Sequence, residues 1–218
     1  EFGMQKKTYA VLGLGRYGTA VAKELVKNGA DVIAVDKNEQ IVQDSSVYLP
    51  ICKCADITDP EVISELGISN ADVVIVAMAS SLEGSILAIT LCKEAGVKTV
   101  IAKCANETHR KILKRVGADT VVFPENESGT RLAKNLLTSG FTDILTLSDD
   151  LSLVELAARD EWVGKSLKEL NLRKKYTVNV VAFRKNGKIT APVNPEELLD
   201  KDTEIIAIVN TAKLSKLK

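Results

Sequence analysis

The chain has 218 residues, of which 45% are hydrophobic and 27% charged, proportions typical of a globular protein with one large domain or two modest ones. Its 29 basic and 29 acidic residues give a formal net charge of +0, which argues against bulk attraction to DNA or anionic lipid and leaves room for a small basic patch. The longest apolar runs, such as residues 73–79, are too short to span a bilayer. We therefore expect a globular binding protein or enzyme.

Strand and helix patterns alternate over the first two thirds of the chain. Six short apolar runs predict strands, and several of the helical segments between them end at a glycine, as at Gly29, Gly96 and Gly117. The strand runs lack apolar–polar alternation, which is typical of a parallel sheet covered by helices on both faces. Residues 4–139 are thus predicted to form a Rossmann-like, doubly wound α/β domain. The predicted strands are residues 8–12, 31–35, 49–54, 71–77, 99–102 and 120–123, and the predicted helices are residues 19–28, 38–45, 59–66, 81–95, 109–116 and 128–138.

The pattern changes after Thr146. Short strand signals become frequent, and Asn186-Gly187 between two of them is a strong β-hairpin signal. Residues 140–218 are therefore predicted to form a linker and a small α+β domain with antiparallel strands. The predicted strands are residues 151–158, 178–183, 188–191 and 204–209. Residues 166–170 are predicted to be a short helix, residues 195–199 a helical turn and residues 211–218 a basic tail.

The strongest functional signal is the G-x-G-x-x-G sequence at residues 13–18, which follows the first strand and opens the first helix. Gly13 permits the tight turn, Gly15 lets the backbone approach phosphates, and Gly18 lets the helix pack close to its strand. Asp36, at the end of the second strand, would accept hydrogen bonds from ribose hydroxyls, and its charge disfavours a 2′-phosphate. The competing interpretation is that the glycines form only a tight turn.

Polar or small residues also follow the other predicted strands. In an open α/β sheet, ligands bind in the crevice outside the carboxyl ends of the strands. Each of these residues taken alone is better explained as a solvated loop residue, but together they favour a nucleotide cleft. They are Asp36, Asp56, Ala79, Ser80, Lys103 and Glu125.

Two charged residues near the predicted cleft suggest how a polyphosphate is recognised. Arg16 lies in the phosphate turn, where a guanidinium adds charge-assisted contacts to phosphates of its own or a neighbouring subunit. Glu125 has the opposite charge, and a carboxylate beside phosphates is repulsive unless a cation lies between them. Glu125 is therefore a candidate Mg²⁺ ligand. An acid favoured by the dipole of a helix start explains Glu125 equally well.

The sequence offers little for catalysis or for metal binding by Cys and His. A dehydrogenase needs a general acid or base beside the nicotinamide, whereas His109 is the only histidine and the C-terminal part has no catalytic constellation. There is no Walker A sequence. The four cysteines lack the double C-x-x-C spacing of a zinc site and are expected to be reduced thiols. They are Cys52, Cys54, Cys92 and Cys104.

Four segments together resemble the KtrA/TrkA-type proteins, which carry the RCK domain (regulator of conductance of K⁺). They are residues 10–18, residues 35–38, Gly117-Ala118-Asp119 leading to Pro124-Glu125, and residues 153–156 at the start of the C-terminal module. Many Rossmann proteins share the glycine run, but its combination with the other segments is much more specific. The resemblance covers nearly the whole chain.

This resemblance implies a cytosolic regulatory subunit of a potassium uptake system, not an enzyme, held at the inner face of the membrane by a KtrB/TrkH-like channel or transporter subunit. It implies a homo-oligomeric gating ring built from dimers, with an octamer expected. The N-terminal domain would bind ATP, ADP or NAD(H), with Mg²⁺ as a candidate companion of ATP, and the C-terminal domain is similar to one that binds cyclic di-AMP in some relatives.

The resemblance also assigns a set of nucleotide-site residues by position. Asp56, Cys104 and Ala105 occupy positions that vary in the family, so they leave the preferred nucleotide open. Glu125 would approach a cation near the terminal phosphate. The residues carried over are Arg16, Asp36, Lys37, Asn38, Asp56, Ile57, Met78, Ala79, Ser80, Lys103, Cys104, Ala105, His109 and Glu125.

Two other functions stay open at this stage. An NAD-dependent oxidoreductase would share the Rossmann domain, but the chain lacks a catalytic module. A DNA-binding redox sensor would need a helix-turn-helix or a basic stripe, and neither is recognisable. Nucleotide turnover by the purified protein would favour the enzyme. Salt-dependent DNA binding would favour the sensor, and co-purification with a membrane K⁺ transporter would favour the regulator.

Overall fold

The structure is a computed structural model that describes residues 7–78, 80–137, 143–148 and 150–217. Contacts between Cα atoms divide the chain after Pro124 into two compact units, each with its own apolar core. The sequence-based boundary at residue 139 instead assigns the following helix, residues 125–137, to the first domain. That helix has no buried residue, and its assignment to one domain or the other stays a prediction.

The first unit is a six-stranded parallel sheet in the order β3-β2-β1-β4-β5-β6. This order reverses direction between β1 and β4, as in a doubly wound fold, and it confirms the predicted fold class. The strands are β1 (Thr8–Leu12), β2 (Asp31–Asp36), β3 (Ile51–Cys54), β4 (Val73–Val76), β5 (Thr99–Lys103) and β6 (Thr120–Val122).

Polar side chains begin the helices of this unit, and glycines end several of them. The side chain of Asn38 accepts from the backbone N–H groups of Gln40 and Ile41, and Asp59 caps the helix that starts at Pro60. Gly117 ends another helix with a φ of 119°, a value that favours glycine. Within the described residues, no helix is long and apolar enough to cross a membrane. The helices are α1 (Arg16–Lys27), α2 (Glu39–Ser46), α3 (Pro60–Glu65), α4 (Leu82–Glu94), α5 (Glu107–Val116) and α6 (Pro124–Leu137), the last of which continues beyond the unit.

Both faces of the parallel sheet are buried, which explains the missing alternation in the strand sequences. In β1, Ala10 and Leu12 belong to one apolar cluster, and Val11 belongs to the cluster on the other face. The same division separates Val74 from Ile75 in β4. Burial of each such Val, Leu or Ile side chain stabilises the fold by about 1.5–3 kcal/mol. The sheet is therefore a rigid support for the loops at its carboxyl edge.

The second unit contains a five-stranded antiparallel sheet in the order β10-β9-β11-β8-β7. The predicted hairpin is present, with Asn186 and Gly187 at φ values of 51° and 75° between two strands. Trp162 and Ile205 lie in the core of this unit. Its strands are β7 (Asp143–Thr146), β8 (Leu151–Ala157), β9 (Asn179–Lys185), β10 (Lys188–Thr190) and β11 (Glu204–Asn210), and its short helices are α7 (Leu167–Leu170) and α8 (Leu172–Tyr176).

Several expectations for the second unit differ from the structure. Residues 195–199 were expected to form a helical turn, but the structure has a turn only at its start, where the Glu197 N–H donates to the Asn194 carbonyl. The Gly164 N–H donates to the Leu199 carbonyl, the Leu199 N–H donates to the Lys165 carbonyl, and Ser166 and Leu198 form an isolated antiparallel bridge. These contacts occupy backbone groups that a helix would need. Strand β7 and helix α8 were not expected from the sequence, and residues 211–217 form a 3₁₀ helix.

Asp119, the residue directly before β6, forms hydrogen bonds to β5 and to α4. Its carboxylate accepts a hydrogen bond of 2.6 Å from the Val100 N–H in β5 and one of 2.6 Å from the Lys93 ammonium in α4. The Lys93 ammonium also donates to the Lys98 carbonyl at 3.2 Å. The hydrogen bond from Lys93 lowers the pKa of the Asp119 carboxyl below its ordinary value of 3.8, and the bond from Val100 has the next largest effect in the same direction.

We expect Asp119→Asn to lower the free energy of unfolding at pH 7 by about 1 kcal/mol, a modest value because the side chain is partly exposed. Since the folded pKa is depressed, the carboxylate contributes fully above the unfolded value of 3.8, and its contribution is lost as the pH falls through the folded pKa. Urea unfolding of the wild type and the variant at pH 7 and pH 3 measures the loss of stability and its dependence on pH. An equal effect in the exposed control Asp44→Asn, or no pH dependence, would contradict this role.

Candidate functional site

A cleft of about 330 Å³ opens at the carboxyl ends of β1 to β4, where the crevice of an open α/β sheet is expected. It brings together residues from all four of the loops that follow these strands. The predicted site residues that line it are Gly13, Gly15, Asp36, Lys37, Asn38, Asp56, Ile57, Met78 and Ser80.

The glycine turn between β1 and α1 forms one wall of the cleft. Gly13 has a φ of +97°, a conformation that side chains rarely adopt. A Cβ atom on Gly18 would lie 1.9 Å from the Gly13 carbonyl oxygen, so only glycine allows α1 to start this close to the turn. A Cβ atom on Gly15 would meet nothing within 4 Å. The turn is thus packed tightly on the side of Gly18 and open at Gly15.

Asp36 connects this turn to the end of β2. One carboxylate oxygen accepts a hydrogen bond of 2.7 Å from the Leu14 N–H, and the other accepts one of 2.8 Å from the Asn38 N–H. The Asn38 side chain in turn caps α2. Each carboxylate oxygen has a second lone pair, so hydroxyl donors of a ligand can still be accepted.

The loop after β3 supplies one charged and one apolar residue. Asp56 accepts hydrogen bonds from the backbone N–H and the hydroxyl of Thr58, at 3.0 and 2.7 Å. These bonds, that of the N–H first, lower the pKa of the Asp56 carboxyl, so it carries its charge at neutral pH. Ile57, by contrast, is buried in the core and presents an apolar surface to the cleft.

The loop after β4 is held by hydroxyl groups at the start of α4. The Ser81 side chain accepts from the Gly84 N–H at 3.0 Å, and the buried Ser85 hydroxyl lies 2.9 Å from the carbonyl oxygens of both Met78 and Ser81. Ser81 lines the cleft although it was not among the predicted residues; its position as an N-cap directly after a strand was a usable signal. The other lining residues not predicted are Val35, Ile41, Ala55 and Ala77.

Other predicted residues lie elsewhere. Arg16 is exposed as the first residue of α1, and Gly18 is buried behind the turn. Residues 103–109, at the end of β5, are outside the cleft lining; they include Lys103, Cys104, Ala105 and His109. Ala79 lies outside the described residues, and Glu125 begins the second compact unit. The roles of all these residues stay predictions.

The thiol groups differ sharply in exposure. Cys92 and Cys104 are 0% exposed, and burial raises both pKa values, that of Cys92 to about 12. Cys104 is thus part of the apolar core of this unit, and its role at the nucleotide site stays a prediction. Cys52 is half-buried, with a pKa raised by burial and by the charge of Asp36, and Cys54 is exposed. Across the described part of the chain, no group of three or more His, Cys, Asp or Glu side chains could hold a metal ion.

A parallel sheet in this order, a glycine turn leading into a helix, and an aspartate at the end of β2 define a Rossmann-type domain of the nucleotide-binding class. Family comparison narrows this class. The TrkA-N domain matches residues 9–124 and the TrkA-C domain matches residues 151–218. The chain therefore belongs to the family of potassium uptake proteins that combine these two domains.

Individual relatives agree with this family. The chain is 34% identical to Ktr system potassium uptake protein C of Bacillus subtilis (strain 168), an alignment that covers 98% of this chain and 96% of the relative. It is 33% identical to Ktr system potassium uptake protein A of Vibrio alginolyticus, covering 97% of each. These relatives confirm the predicted family and the prediction that the chain is not an enzyme.

A solved structure supports the fold. The GsuK channel bound to NAD has a TM-score of 0.68 and 17% identity, over 99% of this chain. The present chain spans 39% of that longer one. At this identity the likeness establishes the shared fold alone, which agrees with the predicted Rossmann-like domain followed by a small α+β domain.

The close approach of Gly18 generates a prediction about stability. Gly18→Ala should lower the free energy of unfolding by about 2 kcal/mol or more, because the added methyl overlaps the Gly13 carbonyl oxygen. Gly129→Ala is the matched control, since Gly129 is also helical but its added Cβ would meet nothing within 4 Å. The control should be neutral or stabilising by up to about 1 kcal/mol. Equal unfolding free energies for the two variants would contradict the close packing.

Proposed function

We propose that this chain is a cytosolic regulatory subunit that binds an adenine nucleotide and gates a KtrB/TrkH-like membrane K⁺ channel or transporter. Its membership in the family of potassium uptake proteins supports the regulatory role, and the names of its relatives support the transported ion. In this proposal the chain lies at the inner face of the membrane and is attached there by its partner.

The single observation that carries nucleotide binding is the joining of the glycine turn to Asp36 in one cleft. The start of α1 supplies backbone N–H groups and the positive end of the helix dipole, both of which attract phosphates. Asp36 would accept the ribose hydroxyls, and Ile57 would lie against the adenine or ribose. The helix start, Asp36 and Ile57 together suit a nucleoside polyphosphate.

ATP or ADP and NAD(H) are the two ligand classes that this cleft can accommodate. The exposed Arg16 at the phosphate turn favours a ligand with a charged terminal phosphate, such as ATP. NAD(H) is favoured by the shared fold of the GsuK channel bound to NAD.

We also propose two further ligands. Mg²⁺ beside Glu125 would accompany ATP, and cyclic di-AMP is a candidate ligand of the C-terminal domain.

Calorimetric titration of the full chain with ATP, ADP, NADH and NADPH tests the proposed ligand class. We expect binding of ATP and ADP, or of NADH, with NADPH the weaker of the two dinucleotides because Asp36 repels its 2′-phosphate. The proposed function is wrong if none of the four binds. Hydride transfer to an added substrate would instead support the alternative of an NAD-dependent oxidoreductase.

Arg16 should distinguish ATP from ADP. The two nucleotides differ only in the terminal phosphate, so a group that senses this phosphate changes their affinities unequally, and a coupling of about 1–3 kcal/mol suffices for regulation. We expect Arg16→Ala to weaken ATP binding more than ADP binding, whereas Arg115→Ala, at the far end of α5, should change neither. Equal losses for ATP and ADP would mean that Arg16 supports only the turn.

Glu125→Gln should also reduce the Mg²⁺ dependence of ATP binding, which titration with ATP in the presence and absence of Mg²⁺ measures.

A gating role requires subunits that move together, and we propose dimers that assemble into a ring, with an octamer expected. Helix α6 offers an apolar surface for this contact: Leu132, Leu136 and Leu137 are 59%, 77% and 81% exposed. Leu136→Lys should shift the chain towards the 23.5 kDa monomer in analytical ultracentrifugation at micromolar concentration. Leu198→Lys, at a leucine 61% exposed outside α6, is the control. A wild-type chain that is monomeric with and without nucleotide would refute the ring.

A further inference from the structure

The glycine turn is attached to the end of β2 by two successive backbone N–H groups. The Gly13 N–H donates to the Val35 carbonyl at 2.8 Å, and the Leu14 N–H donates to the Asp36 carboxylate at 2.7 Å. The first bond is between backbone atoms, and almost any residue at position 35 would preserve it. The second depends on the side chain at position 36.

The rest of Leu14 is also fixed. The Thr19 hydroxyl donates to the Leu14 carbonyl at 2.8 Å, and the Leu14 side chain is buried in the apolar cluster that includes Val11 and Ala22. The orientation of the peptide between Gly13 and Leu14 is then set by the acceptor that its N–H meets, which is Asp36. A hydrogen bond to a charged group is worth more than one between neutral groups.

We propose that Asp36 is a positioning residue for the phosphate turn, in addition to the ribose contact that the proposed function assigns to it. The inference rests on that proposed function. One carboxylate holds Leu14 in the turn through one oxygen and Asn38 at the start of α2 through the other. It therefore holds the phosphate-binding and ribose-binding segments in a fixed relation. Removing it disturbs the turn even for a ligand that has no ribose hydroxyls.

A comparison of ATP with 2′,3′-dideoxy-ATP separates the two roles of Asp36. In Asp36→Asn one acceptor oxygen is replaced by an NH₂ group, so the side chain can no longer accept from both Leu14 and Asn38. If Asp36 positions the turn, the variant should bind 2′,3′-dideoxy-ATP about tenfold more weakly than the wild type does. If Asp36 only binds hydroxyls, the variant and the wild type bind the dideoxy ligand equally. That second result would overturn the inference.

Asp59→Asn provides the matched control. Asp59 is also an aspartate whose carboxylate accepts a backbone N–H, that of Glu61 at 3.0 Å, but it does not line the cleft. Asparagine caps a helix about as well as aspartate does, so the fold should persist. This control should leave both nucleotide affinities unchanged, and thermal unfolding of each variant reports whether the fold is retained.

Hydrogen exchange of the Leu14 amide tests the bond without any ligand. We expect this amide to be protected in the wild type and to exchange at least about tenfold faster in Asp36→Ala, which lacks both acceptor oxygens. Rapid exchange in the wild type would overturn the inference, even where the variant fails to fold. Should the wild type bind neither ATP nor its dideoxy analogue, the proposed function fails, and the amide exchange still decides whether Asp36 holds the turn.

Discussion

The geometry of the cleft depends on one close approach, that of Gly18 in α1 to the carbonyl oxygen of Gly13. Because no side chain separates them, the helix begins directly behind the turn and its first N–H groups lie at the carboxyl edge of the sheet. The buried sheet holds β1 and β2 in register, so Asp36 can reach the backbone of this turn. A methyl group at position 18 would displace the turn and the helix start together.

Much of this arrangement could be predicted from the sequence because the signals are local. The glycine spacing, the preceding strand and the aspartate about 20 residues later each have one physical explanation, and the explanations agree. Side-chain direction was harder to infer. Cys104, which the resemblance assigns to the nucleotide site, continues the buried positions Val100 and Ala102 of β5 into the core. The period of two along that strand was the available signal.

The second unit was less predictable because its irregular parts are determined by pairing between distant segments. Residues 195–199 have local helical features, yet their backbone groups bond to residues 164–166. Helix α8 follows α7 after a single residue, Asn171, whose φ of 50° ordinarily marks a helix end. A sequence pattern that predicts the end of one helix does not reveal that another begins at once.

The two fully buried thiols allow opening of the core of the first unit to be measured by chemical modification. Cys92 and Cys104 belong to the apolar cluster beneath α4 and α5, and a reagent in water cannot reach a side chain that is 0% exposed. Alkylation of either thiol must wait for the core to open, so its rate measures the free energy of that opening. Cys54, exposed on the outer strand β3, reacts without such an event and serves as an internal standard. Any ligand that stabilises this unit will slow the modification of both buried thiols.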